Sequence, residues 1–243
     1  MILSQNNIED IADIITGDFN QFCGVKEDLK RVLPRKAPID RFAKDYLNLE
    51  ISYAKLSSDG SLCGITAYED TEFIFRTEGV QHVLQLRRNQ VVLDESYIRP
   101  GREEIQDGSR RFTLAHECAH QILYQMETNA GGMACRKRYS RCRCTDLRDL
   151  GAVRNWTEWQ ANALGAALLM LRHEMDLAMD FFARGRKLSV FGGKITNADR
   201  YCISMMKRMF GVSRTALVIR LRHLDLLEDR PWYEYREPAE ALL

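Results

Sequence analysis

The sequence predicts an α+β fold, because stretches with the period of a helix come before and after a single block with the period of β-strands. Residues 7–16 and 38–47 repeat apolar side chains every three or four positions, whereas residues 49–94 alternate them every two. After Phe112 the helical period returns, except in residues 125–155. We therefore expect helices, then a small sheet, then a helical C-terminal part.

Composition and charge exclude some classes of protein but indicate no particular partner. The 243 residues are 45% apolar, which is enough for a full core, and 35 Lys and Arg balance 34 Asp and Glu. A net charge of +1 favours neither nucleic acid nor an anionic membrane. The start, MILSQNNIEDIADII, lacks the pattern of a secretory signal, and the apolar stretch at 163–171 is shorter than the roughly 20 residues of a membrane span. We expect a cytoplasmic protein whose seven irregularly spaced cysteines are reduced thiols.

Two amphipathic helices are predicted before the strands. The first covers residues 7–16, with Asn6 or Asn7 available as its N-cap and Gly17 as its stop. Pro38 fits the first turn of the second helix. The apolar face of this second helix contains Ile39, Phe42, Ala43, Tyr46 and Leu47.

Short strands separated by turns are predicted between residues 49 and 94. Their alternating segments are 49–53, 62–68, 73–75, 80–86 and 91–93. Turn residues at 57–60 and 87–89 separate neighbouring segments. We expect these strands to form a small antiparallel sheet.

The last predicted unit, residues 199–228, is a pair of helices joined at FGVS. Gly211 suits a left-handed cap, and Ser213 suits the N-cap of the following helix. This outline resembles a DNA-binding helix-turn-helix. The alternative is an ordinary helical hairpin that closes the core, and we favour it because such hairpins are common in folds that do not bind DNA.

A possible metal site lies in RRFTLAHECAHQIL, residues 110–123. His116 and His120 are one helical turn apart and project together, as the two histidines of an HExxH motif do. Two neutral imidazoles suit Zn²⁺, and a third protein ligand would leave one position for water. Glu117 lies beside the pair, where its carboxylate could reach that water and act as general base. The alternative is an ordinary amphipathic helix that carries two imidazoles.

Glu158 and Asn162 are the candidates to complete this site. They are i and i+4 on one face of a predicted helix at 155–170, NWTEWQANALGAALLM. Glu158 could be the third ligand, and Asn162 could hydrogen-bond the other nitrogen of a ligand histidine. Alternatively, Glu158 is a solvated acid in the first turn, where it favours the helix dipole.

Three blocks, RRFTLAHECAH, EWQANALGAALLM and FGVSRTALVIRLRHLDLL, resemble the ImmA/IrrE family of zinc metallopeptidases in their order and residues. The stretches PIDRFAKDYLNLEI and LCGITAY extend the likeness to roughly residues 38–228. The resemblance implies a zincin-like (thermolysin-like) domain, in which a small sheet packs on the HExxH helix. It also implies three zinc ligands, His116, His120 and Glu158, with Glu117 as catalytic base and Asn162 hydrogen-bonded to a ligand. Members with known roles cleave helix-turn-helix repressors inside the cell.

The chain departs from the family pattern at two places. It has LLML at 168–171 where the family has LLMP, so no proline ends that helix. A variable insert at 125–155 contains CRKRYSRCRC, with Cys135, Cys142 and Cys144 in an arrangement that lacks paired zinc knuckles. We interpret these cysteines as free loop thiols; the alternative is that they bind a second zinc ion. The insert's basic residues, Arg136, Lys137, Arg138, Arg141 and Arg143, are interpreted as a solvated loop, or alternatively as a contact for phosphates or a lid.

Together these features predict a zinc-dependent endopeptidase that acts on a protein substrate. The resemblance implies that this substrate is a helix-turn-helix repressor of mobile-element or stress genes. We expect no membrane contact and no direct binding of nucleic acid. The alternative is a non-proteolytic DNA- or protein-binding regulator with a structural zinc. We divide the chain into an N-terminal helical extension (1–37), a zincin-like domain (38–229) that contains the insert, and a C-terminal tail (230–243).

Overall fold

A 27-residue helix, α3 (Glu103–Asn129), forms the centre of the fold, with a sheet on one side and helices on the other. The computed structural model describes residues 2–25, 31–77, 79–98, 103–129, 138–143 and 156–235. Besides α3, its helices are α1 (Gln5–Phe22), α2 (Ile39–Arg41, continued as a π-helical turn over Phe42–Tyr46), α4 (Trp156–Leu169), α5 (Arg172–Ala183), α6 (Asn197–Phe210) and α7 (Arg214–His223). The predicted α+β class is confirmed.

Nine strands accompany these helices in the described residues. They are β1 (Glu50–Ala54), β2 (Leu62–Ala67), β3 (Thr71–Thr77), β4 (Val80–Leu86), β5 (Gln90–Asp94), β6 (Tyr139–Arg143), β7 (Leu188–Phe191), β8 (Lys194–Ile195) and β9 (Leu227–Arg230). Short 3₁₀ turns cover Glu95–Ile98 and Trp232–Glu234.

The main sheet has the strand order β1-β5-β2-β6 and is mixed, so the prediction of a purely antiparallel sheet is wrong. β2 runs antiparallel to both β5 and β6, but β1 pairs with β5 in parallel. Alternating side chains identify a strand without identifying its neighbour. Here β5 lies between β1 and β2, which run in opposite directions. Because β5 is antiparallel to β2, its pairing with β1 is parallel.

β3 and β4 pair with each other as a separate hairpin that covers the outer face of this sheet. Phe73 of the hairpin is buried with Ile65 of β2 and Val92 of β5 in a small second core. The opposite face of the sheet packs on α3, where Gln121 donates hydrogen bonds to the hydroxyl of Thr66 and the carbonyl of Ala67. The sheet is therefore covered on both faces, and α3 is held firmly against β2.

Helix α1 is longer than predicted, and its two ends differ from the sequence interpretation. Ser4, rather than Asn6 or Asn7, is the N-cap, because its side chain and that of Asn7 form a reciprocal capping box. Gly17 does not end the helix. The helix continues because Phe19, one turn before its end, is buried edge-on against Phe42.

Helix α1 also belongs to the main core. Its Ile8 is fully buried, and the carboxylate of Glu9 accepts two hydrogen bonds from the guanidinium of Arg220 on α7. The Nε of Arg220 donates to the carbonyl of Met170 at the end of α4, 3.0 Å away. This buried ion pair joins the first helix, the end of α4 and the last helix of the fold.

The prediction of an entirely helical C-terminal part is wrong. Strands β7, β8 and β9 form a three-stranded sheet there, in the order β8-β7-β9. These strands have two to four residues, which is too short for a period of two to be recognised. The predicted caps of the helix pair are confirmed. Gly211 has a left-handed backbone with φ +62°, and the Ser213 side chain accepts a hydrogen bond from the backbone N–H of Ala216.

The four cysteines Cys23, Cys118, Cys142 and Cys202 are not in disulfides, and Cys118 is fully buried in α3. Cys63 of β2 is disulfide-bonded, so the prediction of reduced thiols is wrong for this residue. Number and spacing do not report which cysteines meet in three dimensions. The predictions for Cys135, Cys144, Arg136 and Lys137 lie outside the described residues, as does the tail beyond residue 235.

Helix α4 ends at Leu169 although no proline follows it, and α5 begins two residues after Met170. The chain turns there through Leu171, whose backbone has ψ 148°. Within the described residues, no helix is both long and apolar enough to cross a membrane.

Candidate metal centre

His116 and His120 lie side by side on α3, at the face where α4 packs against it. Their ring centroids are 4.5 Å apart and the rings are nearly perpendicular. Both side chains are buried, at 0% and 1% exposure. The spacing of four residues places them on one face of the helix, and burial by α4 and the sheet removes both imidazoles from solvent.

Glu158, in the first turn of α4, points its carboxylate between the two imidazoles. Its Oε2 atom lies 3.3 Å from Nε2 of His116 and 3.3 Å from Nε2 of His120. A charge-assisted hydrogen bond is usually shorter, at about 2.7–2.9 Å. In a tetrahedral zinc site with bonds of about 2.0–2.1 Å, neighbouring ligand atoms are about 3.3–3.4 Å apart. Both distances from Oε2 therefore match the spacing of metal ligands, and ligand atoms of the three residues all lie within 4.8 Å of one another.

The electrostatic environment favours the ionised form of Glu158. Burial raises its pKa, but its contacts with His116 and His120 more than offset this effect, and the pKa ends well below its usual range. Its side chain is 15% exposed, so this edge of the site is open to solvent. An anionic carboxylate with two imidazoles is a ligand set that suits Zn²⁺.

Asn162 fixes the orientation of His116. The side-chain oxygen of Asn162 lies 2.8 Å from Nδ1 of His116, and both residues are buried. Because an amide oxygen only accepts, Nδ1 of His116 must carry the proton and donate it. The lone pair of this imidazole is then on Nε2, the atom that faces Glu158. Within the described residues this Nε2 makes no hydrogen bond of acceptable geometry.

Glu117 is fully buried, and neither of its carboxylate oxygens has a hydrogen-bond partner in the part of the chain that the structure describes. Burial raises its pKa well above the usual range, and the charge of Glu158 raises it further. A buried carboxyl group without a partner is costly. Such a group indicates a site at which a proton or a further ligand is bound and released.

Two glycines, whose role the sequence did not reveal, let these side chains approach one another. A Cβ atom at Gly64 of β2 would lie 2.6 Å from Oε1 of Glu117 and 2.9 Å from Cγ2 of Thr113. A Cβ atom at Gly165 of α4 would lie 2.9 Å from the backbone nitrogen of His116. A glycine inside a strand often marks such a close approach, and this was the available signal for Gly64.

Cys142 of β6 also lies at this centre. Its thiol, an oxygen of Glu117 and a ring nitrogen of His116 are all within 4.8 Å of one another. The interpretation of Cys142 as a loop thiol is wrong, because it is a fully buried residue of the sheet. Its spacing from other cysteines could not reveal a contact with the HExxH helix.

Several other histidine and tyrosine side chains make structural contacts. Tyr124 stacks on Tyr68 with ring centroids 4.1 Å apart. His82 stacks on Phe75 of the hairpin, and His173 contacts Glu174 on α5. Tyr97 shares a hydrogen bond of 2.9 Å with the hydroxyl of Thr113 on α3.

The described residues thus contain a group, His116, His120 and Glu158, that could bind a metal ion. All five residues predicted for the site meet in one place, where α3, α4 and β2 converge. No protein-family model matches the chain, and a search of curated proteins finds no match.

Proposed function

We propose that this protein is an intracellular zinc-dependent endopeptidase of the ImmA/IrrE type. The observation that carries the proposal is the convergence of Nε2 of His116, Nε2 of His120 and Oε2 of Glu158 beside the buried carboxylate of Glu117. A ligand set of this kind keeps a fourth position for water, which distinguishes catalytic from structural zinc sites. A buried acid next to that position has no role in a purely structural site.

Each side chain has a defined task in peptide hydrolysis. The chemistry supplied by zinc in such a site is Lewis acidity, which lowers the pKa of a coordinated water to about 7. Glu117 accepts the proton of the attacking water and later donates it to the leaving amine. Asn162 holds the His116 ring through the 2.8 Å hydrogen bond at Nδ1. Burial of these groups lowers the local dielectric and strengthens each of these interactions.

The raised pKa of Glu117 is consistent with this role. A general base works best when its pKa lies near the working pH, because it must both accept and release a proton. Burial and the neighbouring Glu158 both raise the pKa of Glu117. A carboxylate at the protein surface, with its ordinary lower pKa, would be a weaker base and would accept the proton of the water less readily.

The arrangement of sheet and helix supports a zincin-like architecture. In the described residues, β6 is the last strand of the sheet and lies directly above the HExxH helix. An extended peptide can pair with the edge of such a strand, which provides affinity with little reading of sequence. We propose that the substrate binds there, and, from the resemblance, that it is a helix-turn-helix repressor.

The alternative, a non-proteolytic regulator that binds DNA through α6 and α7, has less support. Leu217 and Leu221 of α7 are fully buried, and Arg220 forms a buried ion pair with Glu9. A recognition helix must present its side chains to the major groove. One face of α7 therefore closes the core while Arg214, Thr215 and Arg222 are exposed, and the observation that favours the peptidase is the buried Glu117 carboxyl group, which a structural zinc would leave without a role.

Mapping of new protein N-termini tests the peptidase directly. Lysate of the source cells is incubated with zinc-loaded wild-type protein, with Glu117→Gln or with Glu127→Gln. Glu127 is on the same helix but ten residues further along, about 15 Å from Glu117, so its variant is a matched control. We expect the same new N-terminus with wild type and Glu127→Gln, and none with Glu117→Gln. Identical N-termini in all samples and in untreated lysate would contradict the proposal.

A further inference from the structure

A cavity of about 660 Å³ lies between α1, residues 31–38 and the junction of α4 with α5. It is separate from the metal centre, because Leu168 at the cavity is ten residues, or about 15 Å, along α4 from Glu158. Pockets that hold small molecules usually measure about 300–1,000 Å³. The cavity therefore has the size of a site for a small molecule.

The floor of this cavity is apolar. Phe19 of α1, Phe42 beside α2, and Leu168 and Leu169 of α4 contribute to its wall, and each of them is at most 4% exposed. The polar side chains around the cavity are nearer the solvent. The part of a ligand that reaches the floor must therefore be apolar, because no polar partner is offered to it there by these four residues.

Gly17 widens the cavity on the side of α1. It lines the cavity together with Asp13, Thr16 and Asn20, which the helical period places on the same face. No other element of the described chain lies within 4 Å of the position that a Cβ atom of Gly17 would occupy. The space beside this glycine is therefore part of the cavity, and a larger side chain here would occupy it without a clash.

The rim of the cavity has one cation without a partner. Arg31 is paired with Glu174 at 2.6 Å, and Lys36 is paired with Asp107 at 3.3 Å. The backbone N–H of Arg35 donates to Glu174, but its guanidinium makes no hydrogen bond or ion pair within the described residues. Arg35 is therefore available to an anionic group of a ligand.

The acidic residues of the cavity leave this cation unpaired. Glu174 accepts two hydrogen bonds from the guanidinium of Arg31 and also lies 3.3 Å from His173. Burial raises the pKa of Asp13 on the α1 wall, and the attraction of His173 offsets this rise in part. The charge that a ligand can neutralise here is thus the single positive charge of Arg35.

We propose that the cavity binds a small amphipathic anion, namely an aliphatic chain with one terminal carboxylate. The chain packs on Phe19, Phe42 and Leu168, and the carboxylate accepts hydrogen bonds from the guanidinium of Arg35, whose two parallel N–H groups suit it. One carboxylate balances one unpaired cation, whereas a phosphate ester carries more negative charge than Arg35 neutralises. The inference concerns a second site and does not depend on the peptidase.

Isothermal titration calorimetry of the full, zinc-loaded chain with decanoate tests this site. We expect one decanoate per chain, and no binding of decylamine, which has the same chain and the opposite charge. Gly17→Leu fills the cavity and Arg35→Gln removes the cation, so we expect each variant to bind decanoate at least about tenfold more weakly. Gly17→Ala is the matched control and should bind it as the wild type does.

Circular dichroism shows whether Gly17→Leu keeps its helices, and Arg35→Gln tests the site independently because residue 35 is exposed. The inference is overturned if the wild type does not bind decanoate, if decylamine binds equally well, or if Arg35→Gln keeps the affinity of the wild type. Each of these results would leave the proposed peptidase standing. Conversely, decanoate binding to a protein that cleaves no substrate would support this site and contradict only the proposed function.

Discussion

Gly165 brings the backbones of α3 and α4 into contact at His116, since a Cβ atom at position 165 would lie only 2.9 Å from the His116 backbone nitrogen. Asn162 and Glu158 lie one and two turns before Gly165 on the same helix. The distance of their side chains from the two histidines therefore depends on how closely the helices approach. One missing methyl group sets the geometry of the centre.

Gly165→Ala should separate these helices and loosen the site. The atoms that the new Cβ would meet belong to the backbone of α3 and cannot rotate away. We expect a loss of about 1–3 kcal/mol in the free energy of unfolding and weaker zinc binding. Chemical denaturation and zinc titration measure the two effects.

Gly17→Ala provides the matched control for that substitution. Gly17 is also inside a helix, but nothing lies within 4 Å of the position its Cβ would occupy. Alanine there should stabilise the protein by about 0.5–1 kcal/mol, because it restricts the unfolded chain and has a higher helix propensity. A loss of stability at both positions would show that helix packing at Gly165 is not the cause.

Gly64→Ala should impair the base while it leaves the metal ligands in place. Its Cβ would lie 2.6 Å from Oε1 of Glu117, so the carboxylate must rotate away from its present position. General base catalysis contributes about 10²–10⁴-fold, and we expect kcat to fall by about 10²-fold. The test compares kcat with zinc content, which should remain one per chain. Full activity in this variant would contradict the placement of Glu117.

Asn162→Ala removes the group that orients His116. Without the hydrogen bond to Nδ1, the ring can rotate or carry its proton on Nε2. We expect zinc affinity to fall by about 10–100-fold, measured by competition with a chelating indicator. Asn162→Asp keeps an oxygen acceptor and should bind zinc more tightly than Asn162→Ala. Equal affinities in wild type and Asn162→Ala would show that the hydrogen bond does not support the ligand.

The lowered pKa of Glu174 predicts how the free energy of unfolding depends on pH. Burial raises its pKa, but hydrogen bonds from His173 and Arg31, together with weaker contributions from other neighbours, lower the pKa to about 2 from the usual 4.5. The folded state therefore holds the ionised form, and this stabilisation is present above pH 4.5. It is lost as the pH falls from about 4.5 towards 2, and its size is about 1–2 kcal/mol, because His173 is 58% exposed and solvent screens its charge.

The measurement for Glu174 is urea denaturation of wild type and Glu174→Gln across this range of pH. The wild type should be the more stable protein at pH 7, and the difference should shrink steadily below pH 4.5. A difference that does not change with pH would show that the ion pair with Arg31 is not responsible.

Local patterns in the sequence identified most of the side chains at the centre. The spacing of His116 and His120 is a property of one helix, and Gly211 and Ser213 are recognisable as caps from their own neighbourhood. In each case the cause of the structure lies within a few residues of the pattern. The family resemblance joined Glu158 to the histidines, 38 positions away from the nearer one.

Features that depend on distant contacts could not be derived in this way. The parallel pairing of β1 with β5 follows from the order of the strands in the sheet. The alternation of apolar side chains along a strand does not reveal that order. The sequence predicts that α1 ends at Gly17, but the helix continues because Phe19 packs against Phe42. This is a tertiary contact, which the local pattern does not show. Cys142 was likewise separated from Glu117 by 25 positions, and only the strand register brings them together.

The zinc content of the purified, folded protein and of two variants shows whether His116, His120 and Glu158 hold a metal ion. We expect one zinc per chain in the wild type and in Glu117→Gln, because Glu117 acts on the water and is not a ligand. We expect Glu158→Gln to lose most of its zinc under the same conditions. A folded wild type that binds no zinc, or a Glu158→Gln variant that binds it as tightly as the wild type, would contradict the assignment of this centre.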